Sequence, residues 1–207
     1  MHDAAIFTSR FLIFAAIHSL LAIPLVKKFL TGRTQPGHWA YRLIYNLISL
    51  AMFGWVMASY RNTPVIYVVP GAWSLAMYLL QGILLVALVC CVRQTGTADF
   101  LGLPLKVGTQ SNSNRLVTGG CYGVVRHPLY LISILFLLFN PVITTRWLIL
   151  SALSSVYFIV GALVEERRLL AEHGERYQAY QLTVPFLIPG LSILRRPPTF
   201  SNRQSPR

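Results

Sequence analysis

The chain has 207 residues, of which 55% are hydrophobic and only 12% are charged, and its mean hydropathy is +0.56. This composition excludes an ordinary water-soluble domain and is typical of a multi-pass membrane protein. The net charge of +12 does not indicate nucleic-acid binding, because the basic residues are scattered between apolar segments without a patch interleaved with aromatic residues.

Three apolar segments in the first half predict a membrane scaffold. Residues 11–26 carry no charge, and their basic flanks can reach the interfaces, so this segment can cross a bilayer that takes about 20 helical residues. Residues 43–60 and 73–92 give the second and third spans. Within the first span, His18 is interpreted as a hydrogen-bonding contact between helices rather than as a catalytic group.

The fourth apolar run, 129–139, is short: a helix of this length rises only about 16 Å, roughly half of the hydrocarbon core. Either the helix begins earlier, near Val124, or the run is one arm of a hairpin that turns at Asn140-Pro141 and returns through 147–164. The predicted fold is therefore an all-α integral membrane protein with five transmembrane segments. The last two form a helical hairpin, and a cytoplasmic post-membrane helix follows.

The distribution of charge predicts the orientation of the chain. Most of the 18 Lys and Arg residues lie in 27–42, in 93–126 and after residue 164, whereas only Arg10, Arg61 and Arg146 fall at the opposite ends of the spans. The positive-inside rule then puts the N-terminus outside and the C-terminus in the cytoplasm, in what we expect to be a bacterial inner membrane.

The predicted organisation has three parts. Residues 1–92 form the three-span scaffold, 93–190 form the functional core, and 191–207 form a disordered basic tail. The three cysteines, at positions 90, 91 and 121, have no metal-ligand spacing, so no metal site is predicted, and the first two are expected to face lipid or the core.

Two polar sequences flank the hairpin. In GGCYGVVRHPLY (119–130), Pro128 suits the first turn of a helix, whose free N–H groups would favour an anion, with Arg126 as an added cation. The alternative is that Arg126 and His127 only mark the end of a membrane helix. At the other end of the hairpin, Glu165 and Glu166 lie where the last span leaves the lipid. Their carboxylates are either exposed to water there or form a site for a cation.

A shared helical face is predicted beyond this exit. Glu166, His173 and Tyr180 recur at a spacing of seven residues, and Tyr177 lies close to the same face. We expect this face to turn toward the R-H-P sequence, because a hairpin brings its two ends together.

Four motifs follow one another in this region: G-x-Y-x-x-x-R-H-P-x-Y, E-E-x-x-L, G-x-x-Y-x-x-Y and V-P-x-x-I-P. In this order they resemble the superfamily of integral-membrane methyltransferases that contains the isoprenylcysteine carboxyl methyltransferases and the phospholipid methyltransferases. The resemblance covers residues 96–190. The sequences HSLLA (18–22) and ADFLGL (98–103) are more similar to its small bacterial branch, which includes the methanethiol S-methyltransferases.

The resemblance implies a cytoplasm-facing pocket for S-adenosyl-L-methionine, formed by the long loop, the R-H-P turn and the post-membrane helix. Cofactor contacts are then expected from Leu116, Val117, Tyr122, His127, Pro128, Leu129, Tyr130, Glu165, Tyr177 and Tyr180. Arg126, His127 and Glu166 are the candidate catalytic residues, and His127 or Glu166 would accept a proton if one must leave.

One position departs from the family pattern. The prenylcysteine enzymes carry an arginine for the substrate carboxylate four residues before the first glutamate, where this chain has Gly161. Arg126 is the alternative clamp. Small thiols and lipid amines need no clamp of this kind.

The resemblance thus implies S-adenosylmethionine-dependent methyl transfer at the membrane. The acceptor would be small or lipophilic: a thiol, a prenylcysteine carboxylate or a lipid amine that enters from the bilayer. Expected partners are membrane lipid and this acceptor, without nucleic acid, and no sequence signal specifies an oligomeric state.

Two alternatives remain at this point. One is an NADPH-dependent membrane reductase of sterol-reductase-like architecture, for which the absence of G-x-G-x-x-G carries little weight. The other is a non-enzymatic transport or assembly protein, which the near absence of charges within the spans disfavours.

Overall fold

The computed structural model describes residues 2–31, 38–59, 63–97 and 116–190. The helices of this part are α1 (His2–Ala22), α2 (Pro24–Thr31), α3 (His38–Met57), α4 (Ala72–Thr95), α5 (Cys121–Val124), α6 (Pro128–Leu138), α7 (Thr145–His173) and α8 (Glu175–Thr183). Two short strands are β1 (Val65–Val68) and β2 (Val142–Thr144). The ADFLGL sequence and the tail 191–207 lie outside the described residues, so the expectations for them stay predictions.

Four of the helices are long and apolar enough to cross a membrane: His2–Ala22, Ala40–Met57, Ala72–Thr95 and Thr145–His173. Many of their large apolar side chains lie on the outside of the structure, as expected where lipid replaces water. The chain is therefore a mostly helical, multi-pass membrane protein. Helix α6 has only 11 residues, so the count of five segments and a hairpin through the bilayer stay predictions.

The main apolar core lies where α1, α3 and α7 meet. Its buried side chains are Phe7 and Phe11 of α1, Val56 of α3 and Leu150 of α7. Helix α6 packs between α4 and α7 and so joins α4 to this core.

The first long helix ends just before a proline. Helix α1 stops at Ala22, and α2 begins at Pro24, which suits the first position of a helix because it lacks an N–H. His18 joins α1 to α3: Nδ1 lies 2.8 Å from Ser49 Oγ and Nε2 lies 2.7 Å from the Tyr45 hydroxyl. The interpretation of His18 as a contact between helices is confirmed.

A small two-stranded sheet accompanies the helices. Strands β1 and β2 pair antiparallel, with Val65 opposite Thr144 and Val68 opposite Val142. In the sequence both segments are predicted to be connections, because each is too short to show a periodic pattern of its own. Their pairing joins the α3–α4 connection to the α6–α7 connection at one end of the molecule.

The helical face predicted beyond the exit from the lipid is divided between two helices. Helix α7 ends at His173, and Gly174, with φ of 54°, separates it from α8. A residue with a Cβ is strained at positive φ, so glycine is suited to this break. Glu166 and His173 therefore lie on α7, whereas Tyr177 and Tyr180 lie on a second helix and not on one continuous face.

No signal in the sequence pairs the cysteines, but the structure joins Cys91 of α4 to Cys121 of α5 by a disulfide with a Cα–Cα distance of 5.9 Å. Cys91 is buried, and Cys90 beside it is exposed with a free thiol. This bond fixes the start of α5 against the end of α4, at the end of the molecule opposite the small sheet.

Candidate active site

A cavity of about 640 Å³ opens at the end of the structure that holds α5 and α8. This volume is within the usual range for small-molecule sites. Its walls come from the end of α4, the segment 116–120, the turn before α6, the last turns of α7, and α8. The lining residues are Gln94, Thr95, Leu116, Val117, Thr118, Gly119, Gly120, Tyr122, Arg126, His127, Pro128, Leu129, Tyr130, Glu165, Arg168, Leu169, Glu172, His173, Tyr177 and Tyr180.

The R-H-P sequence forms the turn that enters α6. Pro128 occupies the first helical position, as the sequence predicts, and His127 is the N-cap residue. The backbone N–H of Arg126 donates to the carbonyl oxygen of Pro185 at 2.9 Å. This bond holds the turn against the segment that follows α8.

Arg126 and Glu166 form a two-pronged ion pair. Arg126 Nε lies 2.7 Å from Glu166 Oε1, and its NH2 nitrogen lies 3.0 Å from Oε2. The two side chains are only 10% and 14% exposed. The NH1 nitrogen donates to the carbonyl oxygens of Gln181 at 3.0 Å and Val184 at 2.7 Å. The guanidinium of Arg126 therefore bonds to groups of the protein itself and joins α7 to the end of α8.

Glu166 receives further hydrogen bonds besides those of Arg126. The Tyr177 hydroxyl and His127 Nε2 lie 2.8 Å and 3.1 Å from Oε1, and Gln181 Nε2 lies 2.7 Å from Oε2. We call these five side chains the Arg126–Glu166 network. Glu166 is its centre and lies behind the cavity wall rather than in it.

Glu165 faces the cavity instead. Its side chain is 32% exposed, and Oε2 lies 3.8 Å from His127 Nδ1. Arg168 NH2 approaches Oε1 to 3.5 Å, and Tyr130 lines the same cavity. Glu165 therefore presents a negative charge to the cavity beside a more exposed arginine.

Two adjacent glycines form part of the wall. Gly120 has φ of 61°, and a Cβ built on it would overlap the side-chain amide of Gln94. The Gln94 Oε1 atom accepts a hydrogen bond from the N–H of Cys121 at 3.1 Å. Only glycine allows both this backbone conformation and the close approach of Gln94.

The tyrosines of the site are held as neutral donors. The Tyr180 hydroxyl donates to the carbonyl oxygen of Tyr122 at 2.5 Å. Burial raises the pKa of Tyr180 and of Tyr122 to about 12 in each case. Burial, together with the hydrogen bond to Glu166, also raises the pKa of Tyr177. These phenols keep their protons near neutral pH, so Tyr177 can serve as a donor to Glu166.

Every residue that the sequence analysis assigns to the cofactor lines this cavity, as do Arg126 and His127 among the candidate catalytic residues. Glu166 is brought beside them but is directed into the network. Sequence reasoning missed Gln94 and Thr95 of α4 and Gln181 of α8. Gln94 follows Arg93 just beyond an apolar run, where a polar residue is usual, so no signal distinguishes it.

A known protein family and several named proteins are similar to this chain. The family model described as NnrU protein matches residues 6–189. Methanethiol S-methyltransferase 2 of Bradyrhizobium diazoefficiens is 31% identical over 206 residues, which covers 94% of this chain and 75% of that protein.

Two further relatives match over shorter regions. The methanethiol S-methyltransferase of Crocosphaera subtropica is 39% identical over 72 residues, which covers 35% of this chain and 28% of that protein. The enzyme of that name from Pseudomonas deceptionensis is 35% identical over 70 residues, which covers 34% of this chain and 27% of that protein. No solved structure shows significant similarity.

The NnrU family model and the Bradyrhizobium diazoefficiens relative each match nearly all of the chain. They confirm the resemblance to the membrane methyltransferase superfamily and to its methanethiol S-methyltransferase-like branch. The chain belongs to the NnrU protein family.

Proposed function

We propose that this protein transfers a methyl group from S-adenosyl-L-methionine to a small thiol at the membrane. One observation carries the proposal: the residues expected to contact the cofactor, which are spread from Leu116 to Tyr180, line a single cavity. The names of the relatives support the reaction type and the thiol acceptor.

The chemistry of the cavity fits the proposed cofactor. S-adenosylmethionine has an ammonium and a carboxylate at one end, a sulfonium near its middle and an apolar base. Glu165 offers a carboxylate for a cationic group, and Arg168 beside it offers a cation for the carboxylate. The faces of Tyr122 and Tyr130 suit a cation, and Leu116 offers apolar contact.

Bound S-adenosylmethionine supplies a methyl group that is activated by its positive sulfur. The protein contributes alignment and the exclusion of water, which are the main sources of rate when two bound groups react directly. The Arg126–Glu166 network holds α7, α8 and the R-H-P turn around the cavity, and Pro128 and Leu129 give the turn an apolar side.

The bonds that Arg126 already makes within the protein limit the choice of methyl acceptor. Its guanidinium is bound by Glu166 and by two carbonyl oxygens, so it is not free to clamp the carboxylate of a substrate. Gly161, the other position considered, has no side chain. A thiol needs no cationic clamp, and this favours it over a prenylcysteine carboxylate.

The proposed topology gives each reactant its own route. With the N-terminus outside and the C-terminus in the cytoplasm of a bacterial inner membrane, the cavity faces the cytoplasm. The water-soluble cofactor then enters from that side, and a small apolar thiol or a lipophilic one reaches the site from the bilayer.

Calorimetry on the detergent-purified full chain tests the cofactor. We expect binding of S-adenosylmethionine and S-adenosylhomocysteine that is at least about tenfold weaker in Glu165→Ala, because a charge-assisted contact is lost. Glu175→Ala, on the exposed start of α8, is the matched control and should bind as the wild type does. If the folded wild type binds neither compound, the proposal is wrong, and titration with NADPH then tests the reductase alternative.

A second assay identifies the acceptor. The protein is supplied with S-adenosylmethionine and, separately, with methanethiol, a prenylcysteine or phosphatidylethanolamine, and the methylated products are measured by mass spectrometry. We expect dimethyl sulfide from methanethiol as the dominant product. Methylation of only the prenylcysteine or only the lipid amine would overturn the choice of a thiol.

A further inference from the structure

The imidazole of His127 is held in a defined orientation at the cavity wall. The residue is only 4% exposed, and Nε2 lies 3.1 Å from Glu166 Oε1. Its ring makes a T-shaped contact with that of Phe186, with the centroids 5.1 Å apart, and the centroid of the Tyr130 ring lies 5.7 Å away. These contacts prevent the ring from turning freely.

The hydrogen bond to Glu166 selects the tautomer of the neutral ring. A carboxylate that already receives donors from Arg126 and Tyr177 can only accept, so Nε2 must carry the hydrogen. Nδ1 is then left with a lone pair. On that side Glu165 Oε2 lies 3.8 Å away, beyond hydrogen-bond distance, and both residues line the cavity.

We infer that Nδ1 of His127 accepts the proton of the thiol during methyl transfer, with Glu166 as the residue that positions it. The inference rests on the proposed function. As the thiol sulfur forms its bond to the methyl carbon, the bond from that carbon to the sulfonium breaks, and its electron pair neutralises the sulfonium. The S–H proton passes to His127 Nδ1, so the products are a methyl thioether, S-adenosylhomocysteine and an imidazolium.

A proton acceptor is needed because the thiolate, and not the thiol, is the strong nucleophile. An ordinary thiol is mostly protonated at neutral pH. Glu166 is a poor candidate for this proton, since both of its oxygens are occupied by donors of the Arg126–Glu166 network. His127 is the group in the network that combines a defined orientation with a free lone pair toward the cavity.

Charged groups lie on both sides of the His127 ring. From α7, Glu165 lies on the Nδ1 side of the ring and Glu166 on the Nε2 side. Arg126 balances Glu166, and Arg168 partly balances Glu165. Among the residues that the structure describes, two phenols are also close: Tyr130 packs against the His127 ring, and the Tyr177 hydroxyl donates to Glu166.

Thiols of different acidity test this role. The variant His127→Gln keeps an amide that can donate to Glu166 but lacks a base. With methanethiol we expect its kcat/KM to fall by about 100-fold or more, the usual contribution of a positioned base. With an aromatic thiol, which is largely ionised at neutral pH, the loss should stay below about tenfold. His2→Gln, at the exposed start of α1, is the matched control.

The pH profile gives a second readout. In His127→Gln, the rate with methanethiol should recover as the pH is raised, because the solution then supplies the thiolate. Glu166→Gln should show the same dependence on thiol acidity with a smaller loss, since the imidazole stays in place while the support of its orientation and the ion pair with Arg126 are weakened.

The outcomes separate the two levels of the proposal. Equal losses with both thiols, in a His127→Gln protein that still unfolds cooperatively, would assign His127 to binding or packing and overturn the inference alone. No methylation of either thiol by the wild type would overturn the proposed function and the inference with it.

Discussion

Two buried clusters stabilise the described part of the chain, and they differ in chemistry. The first is apolar: Phe7 and Phe11 pack against Val56 and Leu150 near the sheet end of the molecule. The second is the Arg126–Glu166 network near the cavity, where buried charges are paired and hydrogen-bonded. Apolar packing tolerates replacement by other apolar groups, whereas a buried charge depends on its partners.

The difference separates the scaffold from the site. Within membranes, packing of apolar side chains joins helices without fixing any group for chemistry. The paired charges fix the directions of His127 and Glu165 instead, because each bond has a preferred geometry. We therefore expect changes in the first cluster to affect stability alone, and changes in the second to affect stability and binding together.

The largest effect is expected for Glu166→Ala. Removing this carboxylate leaves the guanidinium of Arg126 buried without its ion pair, which costs about 3–5 kcal/mol in the free energy of unfolding. Binding of S-adenosylhomocysteine should be lost as well, because the turn at His127 is no longer held. Denaturant unfolding in detergent and calorimetry measure the two effects.

Glu175→Ala removes an exposed carboxylate from α8 and serves as the control for Glu166→Ala. We expect no more than about 0.5 kcal/mol from it. A change of that size in Glu166→Ala would mean that the network does not stabilise the fold, and the contrast between the clusters would fail.

The apolar cluster is tested by Phe11→Ala. The side chain is 2% exposed, and its truncation leaves a cavity that costs about 3 kcal/mol. The affinity for S-adenosylhomocysteine should stay within about twofold of the wild type, because distant and independent sites behave additively. Leu12→Ala, on the outward side of α1 at 56% exposure, is the control for stability.

The sequence allowed the helical spans and the site turn to be predicted for different reasons. Long uncharged runs such as that ending near Met57 have one favourable structure in lipid, and Pro128 can begin a helix but not continue one. The cofactor residues followed from the motifs of a family, not from physical chemistry alone. Two charges from distant segments, Arg126 and Glu166, were placed at the same site but not joined.

The features that sequence reasoning missed depend on pairing across the chain. The strand Val65–Val68 has no pattern until its partner Val142–Thr144 is known. The disulfide joins Cys91 to Cys121, which are 30 residues apart in sequence and have no motif spacing. Gly174 is one of many glycines, and only the direction of α8 shows that it interrupts the helix.

A smaller effect is expected where glycine forms the cavity wall. Gly120 and Gly71 both have φ of 61°, but only Gly120 would place a new Cβ against a neighbour, the side chain of Gln94. Both changes to alanine carry a backbone strain of about 1–2 kcal/mol. Gly120→Ala should also weaken cofactor binding severalfold, because Gln94 must move and release the N–H of Cys121.

Gly71→Ala is the matched control, since it carries the same strain near the sheet end and has no atom within 4 Å of the new Cβ. The double variant Gly120→Ala/Gln94→Ala should bind the cofactor better than Gly120→Ala. Equal binding by Gly120→Ala and Gly71→Ala would show that the cavity wall does not require this close contact.

The smallest effect is expected for Tyr180→Phe, which removes one hydrogen bond, from the hydroxyl to the carbonyl oxygen of Tyr122. The free energy of unfolding should fall by about 1 kcal/mol at neutral pH.

Burial raises the pKa of the Tyr180 phenol to about 12 in the folded protein, above about 10 in the unfolded chain. The folded state then holds its proton more tightly, so the phenol stabilises the fold fully below pH about 10 and loses that contribution as the pH rises toward about 12. The free energy of unfolding should therefore decline less steeply with rising pH in the Tyr180→Phe protein. In the Tyr67→Phe protein, whose change lies on the exposed strand β1, it should decline as in the wild type.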